Sequence, residues 1–472
     1  VTMCRFPGRQ VFEWALLTPL AMPAYVVAYV YTDLLEYAGP VQAGLRALLG
    51  YASPSDYWFP QIRTLGGAFC MLTLVLYPYV YLLSRAAFLE QSNEALEAGR
   101  SLGRGPFQVF LSVSLPIAQP AIAVGVALVL METLNDFGTV DFFGVPTLAL
   151  GLYDVWLNMG NLAGGAQIAL VMLGLVLGLV WIERRSRGQR RNFSVRGRKK
   201  ALRGFRLVGW KAGAASVFCA ALVLFGFVVP ASVLGIYALE NFQASFDAEF
   251  QRYAWNSVRL ALAAATFSVL VGLALAYGKR YSRVPLTGLA VRIASLGYAL
   301  PGPVLALGVI VPFAALDNLL DAAARNAFGL STGLLLSGTL FALLFAYVVR
   351  FMPIAFGAVE SSLEKVSPAM EMASRSLGCT PLQGYRRVHV PLVRSGAIAG
   401  ATVVFVDVMK ELPATLILRP FNFETLATNV YQFASDQQIE RAALGALFIV
   451  LSGLVPVVLL SRALSSSRTL ET

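Results

Sequence analysis

Two stretches of this chain decide its fold: residues 97–116 read EAGRSLGRGPFQVFLSVSLP, and residues 372–391 read MASRSLGCTPLQGYRRVHVP. Shifting the chain by 275 residues lays Ala98 on Ala373, Arg100 on Arg375 and Gly103 on Gly378. The match runs without a gap through Pro106/Pro381, Gln108/Gln383, Val113/Val388, Pro116/Pro391 and Gly125/Gly400. That is ten identities in 28 positions, where ordinary composition gives roughly two. The matched residues are largely polar, Gly or Pro, so shared greasiness does not explain them. The chain is an internal repeat, and the repeat carries a polar loop.

Local physics gives that loop a shape. A short helix ends at Gly103 or Gly378. A second short helix begins with Pro106 or Pro381, where proline fits the first turn. Pro116 and Pro391 mark where the chain returns to apolar surroundings. A surface presented twice suits a partner with two-fold symmetry.

Outward from the loops the chain is apolar. Of its 472 residues 57% are hydrophobic and 13% charged, about half the charged fraction of a soluble domain. A helix needs about 20 apolar residues to cross a bilayer core. Ten stretches qualify: 11–31, 65–88, 120–135, 165–182, 207–237, 255–277, 289–316, 334–356, 395–418 and 442–460. None of the alternating ten-residue segments of a membrane β-barrel is seen. The expected class is an all-α integral membrane protein of two related helical bundles.

The net charge of +11 is concentrated in residues 184–206, which hold eleven Lys/Arg and no Asp or Glu. Positive loops stay in the cytoplasm. Threading outward from there puts Arg5, Arg9, Arg100, Arg104, Lys279, Arg280, Arg375, Arg386, Arg387 and Arg462 inside. Asp33, Glu36, Asp141, Asp154, Glu240, Asp247, Asp317 and Asp321 fall outside. Ten spans with both termini cytoplasmic satisfy the rule at nearly every loop. The basic excess therefore speaks for topology and membrane lipid, not for nucleic acid.

Little suggests chemistry. His389 is the one histidine, and Cys4, Cys70, Cys219 and Cys379 form no CxxC pair. No catalytic residues and no stable metal site are expected. GLALAYGKR at residues 272–280 resembles a phosphate loop, but its glycines have the wrong spacing and Arg280 stands where Ser or Thr is needed. GLVLG at residues 174–178 fits the small-xxx-small pattern of packed membrane helices. Pro19, Pro23, Pro301, Pro303 and Pro312 fall inside spans, as hinges or as packing kinks.

The halves are expected at 1–183 and 207–472, joined by the basic linker 184–206. Pro23 in LAMPAYVVAYV matches Pro301 in YALPGPVLALGV. Two spans precede Pro301 and none precedes Pro23, which reads as two leading helices missing from the first half, through truncation or a misplaced start, or else as a true ten-helix variant.

The loops resemble the EAA loop of permeases in ABC-type importers. Its pattern is Glu-Ala-Ala, three residues, Gly, nine residues, Ile-X-Leu-Pro. The first copy supplies Glu97, Ala98, Gly99, Arg100, Gly103 and Pro116. The second supplies Glu371, Met372, Ala373, Arg375, Gly378 and Pro391, with Met372 at the family's Glu position and Glu371 one residue early. The resemblance implies the type I importer permease fold with twelve helices, and loops that dock into an ABC ATPase dimer. It further implies that ATP and Mg are held by that partner, with no cofactor on this chain. Unequal coupling by the two loops is expected from Met372.

METLNDFGTVDFFGVPT (131–147) and DVMKELPATLILRPFNFETLAT (407–428) look like fused permeases of ferric-iron importers of the bacterial inner membrane, which work with a periplasmic ferric-binding protein. Fused thiamine permeases are the nearest rival. A gradient-driven secondary transporter has no use for the duplicated loop. The repeat pairs Glu132 with Asp407 and Asp136 with Glu411. Spaced i, i+4, each couple would share a helix face, roughly 24–30 Å beyond the return proline. Acids at membrane depth face a path or a partner, and carboxylates suit a hard cation. The four acids are expected to line a cation path, or else to brace the fold through Lys410 or Arg419.

Overall fold

The structure is a computed structural model, and it describes residues 1–91, 93–103, 105–188, 205–282 and 284–469. Most of the basic linker lies outside the described residues. The first half runs through helices α1 (Arg9–Ala15), α2 (Ala24–Leu35), α3 (Leu65–Glu90), α4 (Asn93–Ser101), α5 (Leu115–Asn135), α6 (Gly138–Phe142) and α7 (Leu162–Gly188). The second runs through α8 (Trp210–Val223), α9 (Ala248–Tyr281), α10 (Pro285–Ala294), α11 (Gly302–Phe328) and α12 (Leu340–Leu363). It continues with α13 (Pro368–Ser376), α14 (Val390–Met409), α15 (Pro413–Leu418) and α16 (Ile439–Thr469). Strands β1 (Cys4–Arg5) and β2 (Phe205–Arg206) form one short parallel pair.

Eight helices among the described residues are long and apolar enough to cross a membrane, and nine if the bent pair Arg9–Ala21 and Ala24–Leu49 counts as one. The tenth expected span lies in α16, where side chains beyond residue 454 are outside the described set. Three expected spans are not continuous. Stretch 11–31 breaks between Ala21 and Ala24 with a 92° bend. Stretch 289–316 breaks between α10 and α11. The cause is shared: Pro23 and Pro301 force the preceding residues Met22 and Leu300 into extended backbone, because a proline ring excludes the helical conformation just before it. Stretch 395–418 also divides, into α14 and α15.

The repeat reaches into the packing. A Cβ on Gly125 would sit 2.8 Å from the Val80 Cα, and one on Gly400 would sit 3.0 Å from the Ala355 Cα. Val80 and Ala355 are themselves 275 residues apart, so α3 meets α5 in the same register as α12 meets α14. Gly396 approaches more closely still, with no room for a Cβ between it and the Ser362 hydroxyl and Ala358 carbonyl oxygen. Gly174 and Gly178, expected to be a packing pair, have open space where a side chain would go. Spacing alone does not say which face of a helix meets a neighbour.

Contacts group the chain into two units: Val1–Gly151, Val171–Ile236 and Val457–Thr472 in one, Leu152–Leu170 and Tyr237–Pro456 in the other. The first span of the second half therefore packs with the first half. One bond explains part of this. Leu224–Val228 is a π turn, in which a carbonyl bonds the N–H five residues on. For Phe225 that residue is Pro230, which has no N–H. The Tyr31 hydroxyl on α2 donates to the Phe225 oxygen instead, at 2.5 Å. Ser216 anchors the same span by donating to the Pro7 oxygen at 2.9 Å.

Candidate functional site

Each repeated loop is a helix, a left-handed glycine and a second helix. Gly103 and Gly378 both have φ of 77°, a conformation that costs glycine nothing and other residues much. The second helix opens with Pro106 in one loop and Pro381 in the other. The paired glutamines have a common task. Gln108 Oε1 accepts from the Gly105 N–H at 3.3 Å, and Gln383 Oε1 from the Thr380 N–H at 3.0 Å. Each satisfies a backbone donor left open at a helix start.

The two helices of a loop pack by exchanging small and large residues. In the first, a Cβ on Gly99 would lie 3.2 Å from Val109. In the second, Ser374 and Gly384 take those places, with 3.2 Å from the missing Gly384 Cβ to Ser374 Oγ.

One expectation needs correction: the second helix of each loop is not short, but runs on through Pro116 or Pro391. Residues Pro106–Asn135 form one helix, and a π turn, Phe110–Ser114, precedes Pro116. A second π turn, Tyr385–His389, precedes Pro391 at the same spacing. The extra residue in the turn opens room for a proline ring that would clash with the carbonyl one turn back.

The loops differ in where their charge goes. Glu97, Arg100, Met372, Ala373 and Arg375 are exposed. The guanidinium of Arg100 stands 4.5 Å over the Phe205 ring. The side chain of Ala98 lies outside the described set. Glu371 turns inward, pairing with Arg280 at 2.6 Å and accepting from the Tyr281 hydroxyl at 3.0 Å. The His389 Nε2 stands 3.5 Å away. Burial disfavours the charged Glu371 carboxylate, but hydrogen bonds from Arg280 and Tyr281 and the charge of Arg280 outweigh it and hold its pKa below the ordinary value. Both loops expose apolar tips: Leu102 and Leu377 are 78% and 84% exposed, Phe107 and Met372 72% and 62%.

The membrane-depth acids are not paired on one helix face. α5 ends at Asn135 and α14 at Met409, so Asp136 and Glu411 lie beyond the helices that carry Glu132 and Asp407. Asp136 accepts from the Thr139 and Val140 N–H groups and from the Thr139 hydroxyl. Glu411 accepts from the Ala414 N–H at 3.1 Å. Both acids thus cap the short helix that follows, α6 or α15. Asp407 pairs with Lys410 at 2.9 Å. Arg419 pairs with Glu424, not with either acid.

The second half adds what the sequence reading missed. Arg350 on α12, 2% exposed, lies with its Nε 3.7 Å from Glu411 Oε2 and donates to the Leu300 oxygen at 2.8 Å. It links the break before Pro301 to the break after α14. Gly302 permits the approach, because a Cβ there would lie 3.0 Å from Glu411 Oε1. Tyr347 and Thr415 share a hydroxyl hydrogen bond beside the pair, at 2.5 Å. At the matching place in the first half stands Val75. A lone Arg in an apolar run was the available signal.

The model of the family described as binding-protein-dependent transport system inner membrane component matches this chain twice, at residues 3–187 and 268–469. The chain belongs to that family. It is a multi-pass permease, a transport component and not an enzyme, and the two matches coincide with the internal repeat. The Fe(3+)-transport system permease protein FbpB 2 of Haemophilus influenzae is 26% identical to this permease over 463 residues, covering 97% of this chain and 83% of that one. The molybdenum transport system permease protein ModB of Escherichia coli K12 is 29% identical over 195 residues, covering 39% of this chain and 81% of its own. Among solved structures, a bacterial ABC transporter involved in import of the polysaccharide alginate matches 55% of the permease and 96% of its own chain, with 16% identity and a TM-score of 0.41.

Proposed function

We propose that this permease carries ferric iron into the cell, taking it from a binding protein and driven by ATP hydrolysis on a separate ABC ATPase dimer. The observation that carries this reading is the likeness to a ferric-iron permease along 97% of the chain, where the molybdenum permease matches 39% of it. The four loop helices and their exposed tips Leu102, Phe107, Met372 and Leu377 suit a partner with two grooves. ATP and Mg belong to that partner. The charge pattern favours an inner-membrane orientation with both termini of this chain, and the linker 184–206 between halves 1–183 and 207–472, in the cytoplasm.

In this reading Glu97, Ala98, Gly99, Arg100 and Gly103 meet one ATPase subunit, and Met372, Ala373, Arg375 and Gly378 meet the other. Asp136 and Glu411 shape the path by holding its helix breaks, and do not ligate the ion. The test is purification with the candidate ATPase in lipid. Hydrolysis rises on adding ferric-loaded binding protein. Stimulation by a thiamine-loaded protein in its place transfers the assignment to the rival solute.

A further inference from the structure

Three helix ends meet at one guanidinium. Arg280, near the end of α9, donates to the Leu363 oxygen at 2.8 Å and to the Val366 oxygen at 2.7 Å. Those are carbonyls at and just beyond the end of α12, where a helix leaves acceptors open. The same side chain holds Glu371 on α13 at 2.6 Å. Arg suits the task because its planar fork offers five donors in fixed directions. Tyr281 and His389 close around the carboxylate, and Tyr277 packs on Tyr385 and His389, ring centroids 5.5 and 5.8 Å apart. One residue back along α9, Lys279 pairs with Glu360 of α12 at 2.5 Å.

The first half is built the other way round. At the repeat offset Leu96 stands for Glu371 and Ser114 for His389. Leu96 is 5% exposed, and the loop's acid, Glu97, is the next residue and faces out. The second loop turns its acid in and its Met372 out. Swapping the order of one acid and one apolar residue has exchanged their sides of the helix.

We propose that Glu371, acting through Arg280, is a positioning residue that makes the second loop a rigid lever on α9 and α12, while the first loop sits on its bundle by apolar packing. A force on α13 then reaches two membrane helices directly. This lever rests on the ATP-driven function proposed above, since only a moving partner would use it.

The test uses the full chain in lipid vesicles with its ATPase and ferric-loaded binding protein. Two variants are compared with the wild type: E371Q, and E371M/M372E, which gives the second loop the order of the first. Amide exchange in α13 is expected to rise about tenfold in both, the loss of one charge-assisted hydrogen bond, with exchange in α4 unchanged. In E371Q, which leaves the docking residues in place, ATP hydrolysis is expected to stay near the wild-type rate while iron taken up per ATP falls. Unchanged exchange in α13 overturns the proposal. So does wild-type uptake per ATP from a loosened α13, or failure of E371Q to assemble with the ATPase, which would make Glu371 a docking residue. A wild-type chain that moves no iron with ATP refutes the import reading instead, and the exchange measurement still decides the lever.

Discussion

Arg350 and Glu411 come from segments 61 residues apart and meet as a buried pair, 3% and 6% exposed, with 3.7 Å between Nε and Oε2. Breaking such a pair leaves a charge without its counterion in a dry place. Arg350→Met is therefore expected to cost about 3–5 kcal/mol, and R350M/E411Q to recover most of it. Thermal unfolding in detergent measures both. Equal losses in the single and double variants would mean that the ion pair is not what holds these helices.

Close helix approach supplies a second prediction. Gly400→Val places a side chain into the backbone of α12 at Ala355 and is expected to destabilise by about 1–3 kcal/mol, the usual penalty of overpacking. Gly174→Val and Gly178→Val, which point into open space, leave the unfolding temperature where it was. A drop at these controls as large as at Gly400 contradicts the packing register.

Asp136 separates a helix cap from a cation ligand. Asn at this position keeps an acceptor for the Thr139 and Val140 N–H groups, and asparagine caps helices as well as aspartate does. Asp136→Asn is expected to keep iron uptake close to normal, while Asp136→Ala costs about 1 kcal/mol of stability. Loss of uptake by the Asn variant at normal protein level would restore the carboxylate to the cation path.

The pH dependence of the second loop follows from Glu371. Its native pKa is lowered from the ordinary 4.5, so the carboxylate is worth its full stabilising contribution above that value and loses it as pH falls through the native pKa. The groups around it, Arg280, Tyr281 and His389, keep or gain positive charge or stay neutral over that range. Protection of α13 amides is expected to hold from neutral pH down past the ordinary carboxyl value and to fail only in stronger acid. Loss of protection near neutrality would assign the switch to His389.

Removing the Tyr31 hydroxyl leaves the Phe225 carbonyl without its donor. Tyr31→Phe is expected to cost about 0.5–1.5 kcal/mol, the net worth of one hydrogen bond. Unfolding measurements on Pro230→Ala/Tyr31→Phe test the cause, since a restored N–H at residue 230 makes the hydroxyl dispensable.

What the sequence by itself determined is periodic or local. The repeat, the apolar spans, the glycine turns at Gly103 and Gly378 and the prolines at Pro106 and Pro381 depend on neighbours along the chain. Backbone sterics and helix propensity act over a few residues, so these features were legible without a structure. Even the unequal loops were visible, in Met372 standing where Glu97 has its counterpart. Only the tertiary structure decided where that displaced acid goes. Arg280 lies 91 residues from Glu371, and no local rule brings them together. The same holds for Arg350 with Glu411, and for the span that begins at Trp210 and packs with the other half. Charges and carbonyls freed by proline at membrane depth must find partners, because lipid offers none. The partner is whichever group the packed helices bring within reach.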